Sequence, residues 1–527
     1  MKRRSFIKRT APVALLPVFI NGLSFRSYGN SPLLQLLAAK ASINNKVLVL
    51  VQLNGGNDGL NTLIPLDQYT NLSNARANIM ITESKVPKLK GFDKTGLHPA
   101  MTGMLNLFNN ESSLNIIQAV GYPSPNFSHF RATDIWLSGS DSSQYMNSGW
   151  IGRYLEDAYP GFPTNYPNTD MPDPLAISIG GVVSQALQGP EINMGMAISD
   201  PTAFYNFVDS VVNPNPTTPS EKELAYIRLI AQQSDKYADS IKAAYNSVAT
   251  KSTMYADTTA KNSLSDQLKI VARLIAGGLK TKIYMVSLGG FDTHSNQVNT
   301  TGGTETGAHA DLWSKVSVGI SAFLDDCKKL GVADRVAGMT YSEFGRRIVS
   351  NASLGTDHGA AGPSFVFGTS VNNTLIGANP TIPSTVGAAD NVNYQYDFRQ
   401  IYTSILQQWF GLTKIEAAGV LLKDIDTLPI FKSTTDIKNS EAAIISLVDN
   451  YPNPFENSTT IKIQTSGGLT QLKVFDALGN EVATLVNKVL PSGTYEILFE
   501  AHNLASGNYY YSIISGSSRA NGVMLKK

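Results

Sequence analysis

Lys46-Val47-Leu48-Val49-Leu50-Val51-Gln52-Leu53 runs directly into Asn54-Gly55-Gly56-Asn57-Asp58-Gly59-Leu60-Asn61. The first eight residues are almost continuously apolar and rich in valine, as expected of a parallel strand buried on both faces. The loop that follows carries glycines, which let the backbone turn tightly beside a ligand. The same arrangement recurs outward along the chain. Apolar runs predict further strands over 114–120, 176–179, 282–288, 335–341 and 364–367. Helical patterns lie between them at 100–108, 221–248, 263–279, 309–330 and 398–410. Alternating strands and helices predict an α/β fold, a sheet flanked by helices on both faces. In such sheets ligands sit beyond the carboxyl ends of the strands.

Three later loops are therefore informative: Gly289-Gly290-Phe291-Asp292-Thr293-His294, Ser342-Glu343-Phe344-Gly345-Arg346-Arg347 and Gly355-Thr356-Asp357-His358-Gly359. The chain has six histidines, and His129, His294, His309 and His358 fall in or beside such loops, whereas His98 lies in a separate loop and His502 in the tail. Carboxylates and neutral imidazoles bind hard or borderline divalent cations. The pairs Asp292-x-His294 and Asp357-His358 thus mark a candidate metal centre, with a hydrogen-bonded structural network as the competing reading.

The ends of the chain read differently. Residues 1–30 predict an export signal: Lys2-Arg3-Arg4-Ser5-Phe6-Ile7-Lys8-Arg9 precedes a short, modestly apolar run. No later run reaches the ~20 apolar residues of a transmembrane helix. Residues 431–449 are polar, as in a linker, and 450–527 hold six or seven short alternating segments with turn signals between them, which predicts a small all-β, Ig-like sandwich. The charged fraction is 16%, and 42 basic residues balance 41 acidic ones. With no basic stripe interleaved with aromatics, nucleic acid is not an expected partner. Cys327 is the single cysteine, so no internal disulfide framework exists, and its helical setting predicts a buried thiol.

Three resemblances follow from these motifs. Arg3-Arg4-Ser5-Phe6-Ile7-Lys8 resembles the twin-arginine export motif, which implies recognition by the twin-arginine translocase and passage through the periplasm. Tyr451-Pro452-Asn453-Pro454-Phe455, Asp476-Ala477-Leu478-Gly479, Leu504-Ala505-Ser506-Gly507 and Lys526-Lys527 resemble the C-terminal sorting domain, type A, of the type IX secretion system. That implies its machinery as a partner and a destination at the cell surface or outside the cell.

Residues 46–427 resemble the bacterial family known as domain of unknown function 1501, on the strength of the four loops above and of Asp397-Phe398-Arg399-Gln400-Ile401-Tyr402. That family looks related to the alkaline phosphatase and sulfatase superfamily. The resemblance implies an alkaline-phosphatase-like sheet and a hydrolase of phosphate or sulfate esters, acting on a small anionic ester or glycan. It also implies divalent ions (Zn, Mg, Ca or Mn) that clamp the ester oxygens. Asp58, Asp292, His294, Asp357 and His358 match the superfamily's ligand order. A further histidine ligand usually follows the Asp-His pair; here none does before the tail, and His309 or Glu343 would take its place. Chain order makes Ser128 the candidate nucleophile, with Thr133 second, and Arg131 the candidate neutraliser of the anion. The formylglycine signature of sulfatases is absent. The alternative expectation is a cell-surface binding protein that keeps the fold and has lost catalysis.

Overall fold

The computed structural model describes residues 45–202, 218, 235, 237–255, 261–432, 446–465, 468–476, 480–491, 493–515 and 518–527. The export signal, residues 433–445 of the expected linker, the N-terminal half (221–234) of the expected 221–248 helix, and Ala477, Leu478 and Gly479 lie outside them. The described residues fall within two compact units, 45–432 and 446–527.

The first unit is built on one mixed sheet. Its strands are β1 (Val47–Asn54), β2 (Leu114–Gly121), β3 (Ala176–Ile179), β4 (Met196–Ile198), β5 (Ile283–Gly289) and β6 (Val336–Tyr341). A hairpin of β7 (Arg346–Ser350) and β8 (Thr356–His358) comes next, then β9 (Gly362–Phe367), β10 (Leu375–Ile376) and β11 (Tyr396–Asp397). The sheet order is β10-β2-β9-β6-β1-β5-β3-β4, with β11 paired to β2. β1 runs parallel to both β5 and β6, Val51 lying opposite Val286 and Thr340. β9 runs antiparallel to β6 and β2.

Alternation along β1 explains the layers. Leu48 and Leu50 enter one core with Trp136, Trp150 and Trp409, supplied by α2 (His129–Ser138), α3 (Trp150–Ala158) and the turns after α6 (Phe398–Ser404). Val47, Val49 and Val51 enter the other with Met104, Leu268 and Trp313, from α1 (Thr102–Asn109), α4 (Ser263–Ala276) and α5 (Ala308–Lys329). All five β1 side chains are at most 2% exposed, and each such burial contributes about 1.5–3 kcal/mol. The polar motif at Asp397 has a local role: its side chain and that of Gln400 form a capping box that starts α6. Cys327 is buried in α5, and burial pushes its thiol up.

The second unit is a β-sandwich. One sheet joins β12 (Ser446–Tyr451), β13 (Ser458–Thr465) and β16 (Gly493–Glu500); the other joins β15 (Glu481–Leu490), β14 (Gly468–Phe475), β17 (Gly507–Ser515) and β18 (Ser518–Lys526). Ile461 and Ile463 from the first sheet meet Leu472, Val474, Tyr511 and Ile513 from the second. β12 starts at Ser446, inside the expected linker, because backbone pairing to β13 and not an apolar pattern makes it a strand. Among the described residues no helix is long and apolar enough to cross a membrane.

Candidate metal centre

The carboxyl ends of the parallel strands gather the informative loops on one edge. β1 ends in Gly55-Gly56, β5 leads to Asp292 and His294, β6 leads to Glu343, and β2 leads to α2, whose first residue is His129. Because β9 runs the other way, the residues before it reach this edge, and these are Asp357 and His358 of β8. Close crossing of the loops requires glycine. A Cβ on Gly55, whose φ is +124°, would lie 2.2 Å from the Asp292 nitrogen, and one on Gly355 would lie 2.4 Å from the His294 carbonyl.

Four side chains converge there. His294 Nε2 lies 2.9 Å from His358 Nε2. Asp292 Oδ1 is 3.2 Å from His294 Nε2 and 3.3 Å from His358 Nε2, and its Oδ2 is 3.5 Å from His129 Nε2. His129, Asp292 and His358 each offer a ligand atom, all within 4.8 Å of one another. For metal–ligand bonds of about 2.0–2.1 Å, a tetrahedral site has ligand–ligand edges of about 3.3 Å. The three Asp292–imidazole spacings, 3.2, 3.3 and 3.5 Å, lie close to that edge.

The outer side of each imidazole is occupied by an oxygen. His129 Nδ1 is 2.8 Å from Glu343 Oε1, His294 Nδ1 is 3.1 Å from Asp357 Oδ1, and His358 Nδ1 is 2.7 Å from the Phe127 carbonyl. A carbonyl or carboxylate accepts, so each Nδ1–H can donate outward, and in that tautomer each ring presents an Nε2 lone pair toward Asp292. Glu343 is itself fixed, accepting from the Gly55 N–H at 2.8 Å. The buried Arg346 guanidinium ties the loops together, donating to Asp292 Oδ1 at 2.6 Å, to the Gly56, Thr356 and Phe291 carbonyls, and to that of Gly55. Burial pushes Asp292 up, but the Arg346 hydrogen bond and charge, with His358 and His294, hold it below the usual carboxylate value. Burial, aided by Arg346 and His129, holds His358 below the usual imidazole value against its contacts to Phe127 and Asp292.

A family model described as protein of unknown function (DUF1501) matches residues 45–423. The chain belongs to the DUF1501 family. A second model, a secretion system C-terminal sorting domain, matches residues 449–526. This DUF1501 member therefore carries a type IX sorting tail, which implies the secretion machinery as partner and export to the cell surface or extracellular space. Solved structures similar to the chain include Ps i-CgsB in complex with k-i-k-neocarrahexaose, at 11% identity and TM-score 0.31, covering 80% of this chain and 84% of that one. The PsFucS1 sulfatase from Pseudoalteromonas sp. is similar at 10% identity and TM-score 0.31, covering 89% and 88%. No curated protein sequence matches the chain.

Within this DUF1501 domain the expected site residues separate into groups. Asp292, His294 and His358 meet directly, while Glu343 and Asp357 stand behind two of the rings. Asp58 lies in a different, fully buried network: Arg76 Nη1 reaches both its oxygens at 2.9 Å and Gln297 Nε2 donates at 2.6 Å. Burial pushes Asp58 up, but Arg76, His309 and the Gln297 hydrogen bond hold its carboxyl below the usual value. His309 joins that network, its Nε2 3.2 Å from Asn57 Oδ1 and its Nδ1 without a partner among the described residues. Arg131 directs its donors to Asp134, to the Ser142, Gln144 and Asp141 carbonyls and lies over the Tyr145 ring, away from the imidazoles. Ser128 is exposed and caps α2 through its backbone, between Phe127 and His129. His129 was legible only as a histidine following a predicted strand, and nothing in its spacing linked it to Asp292.

Proposed function

We propose that the α/β domain is a hydrolase of phosphate or sulfate esters that works with one divalent cation at His129, Asp292, His294 and His358. The observation that carries this is the orientation of the three imidazoles. Each has an oxygen acceptor beside Nδ1 and faces the same carboxylate with Nε2. In the tautomer with hydrogen on Nδ1, Nε2 lone pairs so close to a carboxylate repel, and a cation removes that cost. Three nitrogens and one oxygen suit zinc or manganese better than calcium or magnesium. A bound cation of this kind supplies Lewis acidity toward an ester oxygen and makes water a stronger acid. Glu343, Asp357 and the Phe127 carbonyl fix the imidazole tautomers, and Arg346 holds Asp292 in place. The exposed Ser128 hydroxyl, between two residues that touch the cluster, is the proposed nucleophile.

The test is turnover of a panel of nitrophenyl phosphate and sulfate esters by the full chain. Activity on at least one ester is expected, lost on chelation and restored by zinc or manganese. His358→Ala is expected to lower it about 100-fold or more. Turnover that ignores the chelator overturns the reading. Retention of the ion with no turnover on any ester supports the binding-protein alternative.

A further inference from the structure

We propose that Arg347 and the outer oxygen of Asp357 form a subsite that takes an anionic group bearing a neighbouring hydroxyl. The inference rests on the hydrolase reading only for that anion being part of an ester. A cleft of about 480 Å³ opens beside the metal centre, lined by Phe127, His294, Arg347, Asp357, His358 and Ala388 among others. That volume accommodates a small organic ligand. Arg346 commits Nε, Nη1 and Nη2 to the protein, whereas Arg347 commits only Nε and Nη1 there.

Arg347 Nε donates to the His358 carbonyl at 3.2 Å and its Nη1 to the Ala388 carbonyl at 3.3 Å. The guanidinium carbon lies 5.7 Å from the centre of the Phe127 ring. Two backbone anchors and an aromatic face hold the plane of the fork, and Nη2 has no partner among the described residues. A guanidinium fixed in this way is preorganised for an oxyanion, because little rotamer freedom remains to be lost on binding.

Asp357 sets the second requirement. Its Oδ1 accepts from His294 Nδ1 at 3.1 Å and from Asn351 Nδ2 at 3.3 Å, while its Oδ2 has no partner among the described residues. The carboxylate repels a bare anion but accepts from a hydroxyl. A ligand that places its anion on Arg347 and a hydroxyl on Asp357 satisfies both groups. An anion alone satisfies only the first.

Calorimetric binding of inorganic phosphate, propyl phosphate and glycerol phosphate to the full chain tests this, with metal content measured on the same samples. Glycerol phosphate is expected to bind the wild type several-fold more tightly than propyl phosphate. Arg347→Met is expected to weaken all three by about 10-fold or more, since a charge-assisted hydrogen bond is lost, without changing metal content, and Arg347→Lys to fall between. Asp357→Asn keeps an acceptor for His294 but can put an amide donor at the free position, and is expected to narrow the glycerol preference. No phosphate binding by the wild type at millimolar concentration, or equal binding by Arg347→Met, overturns the proposal. Arg347-dependent binding by a chain that holds no metal and cleaves no ester would leave the subsite standing while the hydrolase reading fell.

Discussion

Asp58 and Asp292 each follow a strand and each meets an arginine, yet burial gives them different roles. Asp292 is 47% exposed, and its two oxygens are shared among Arg346 and three histidines. Asp58 is fully buried, and Arg76 and Gln297 take both of its oxygens. Gln297 in turn accepts from Thr293 and Thr356, the neighbours of His294 and Asp357, so Asp58 acts on the site at one remove. Here an arginine supplies the positive charge that a second cation would supply. Breaking a buried ion pair leaves its partner uncompensated, so Asp58→Asn is expected to cost about 3 kcal/mol or more in urea unfolding while metal content stays unchanged. Loss of metal matching that of a His358 variant would make Asp58 a ligand and contradict this assignment. The difference was not legible in sequence, because Arg76 lies in an unremarkable polar segment and burial is a property of the packed fold.

The strands and helices expected from sequence were legible to within a few residues where the structure describes them, because their apolar runs have both the length and the period of the elements they form. By contrast, α2 and α3 were not among those expected. The run at 46–53 became Val47–Asn54, and the pattern at 309–330 became Ala308–Lys329. Strand direction was less legible. Nothing in Ser364-Phe365-Val366-Phe367 distinguishes a reversed strand from its neighbours, although the reversal of β9 is what delivers Asp357 and His358 to the edge shared with Asp292. Gly55 shows the opposite case. A glycine after a first strand was read as room for a ligand, and the space it keeps clear is filled by the backbone of Phe291 and Asp292. In the tail, alternation exposed the strands that face the sandwich core, while β12 was hidden in a polar stretch that pairs antiparallel to β13.

At the scale of the whole molecule, the sorting tail implies export of the α/β domain to the cell surface or extracellular space. That domain encloses His98 and His309, with rings 5.6 Å apart, and burial holds them at about 3 and about 4. Arg76 and Arg346 also oppose a proton on His309, and Asp58 favours one. In the unfolded chain both rings bind protons near the ordinary value of ~6.5. Their contribution is therefore intact above that pH and is lost as pH falls toward the folded values. For chelator-treated protein, stability in urea is expected to drop by about 2 kcal/mol or more between about pH 7.5 and about pH 5, and to drop less in His98→Gln; a flat profile would contradict neutral burial of the pair. The central claim is the cation itself. Elemental analysis of the purified full chain, beside a folded Asp292→Ala, His358→Ala double variant, tests it most directly. The account predicts about one equivalent of zinc or manganese per wild-type chain and almost none in the variant. Wild-type protein that stays metal-free after incubation with either ion, or a variant that binds as much as the wild type, would contradict it.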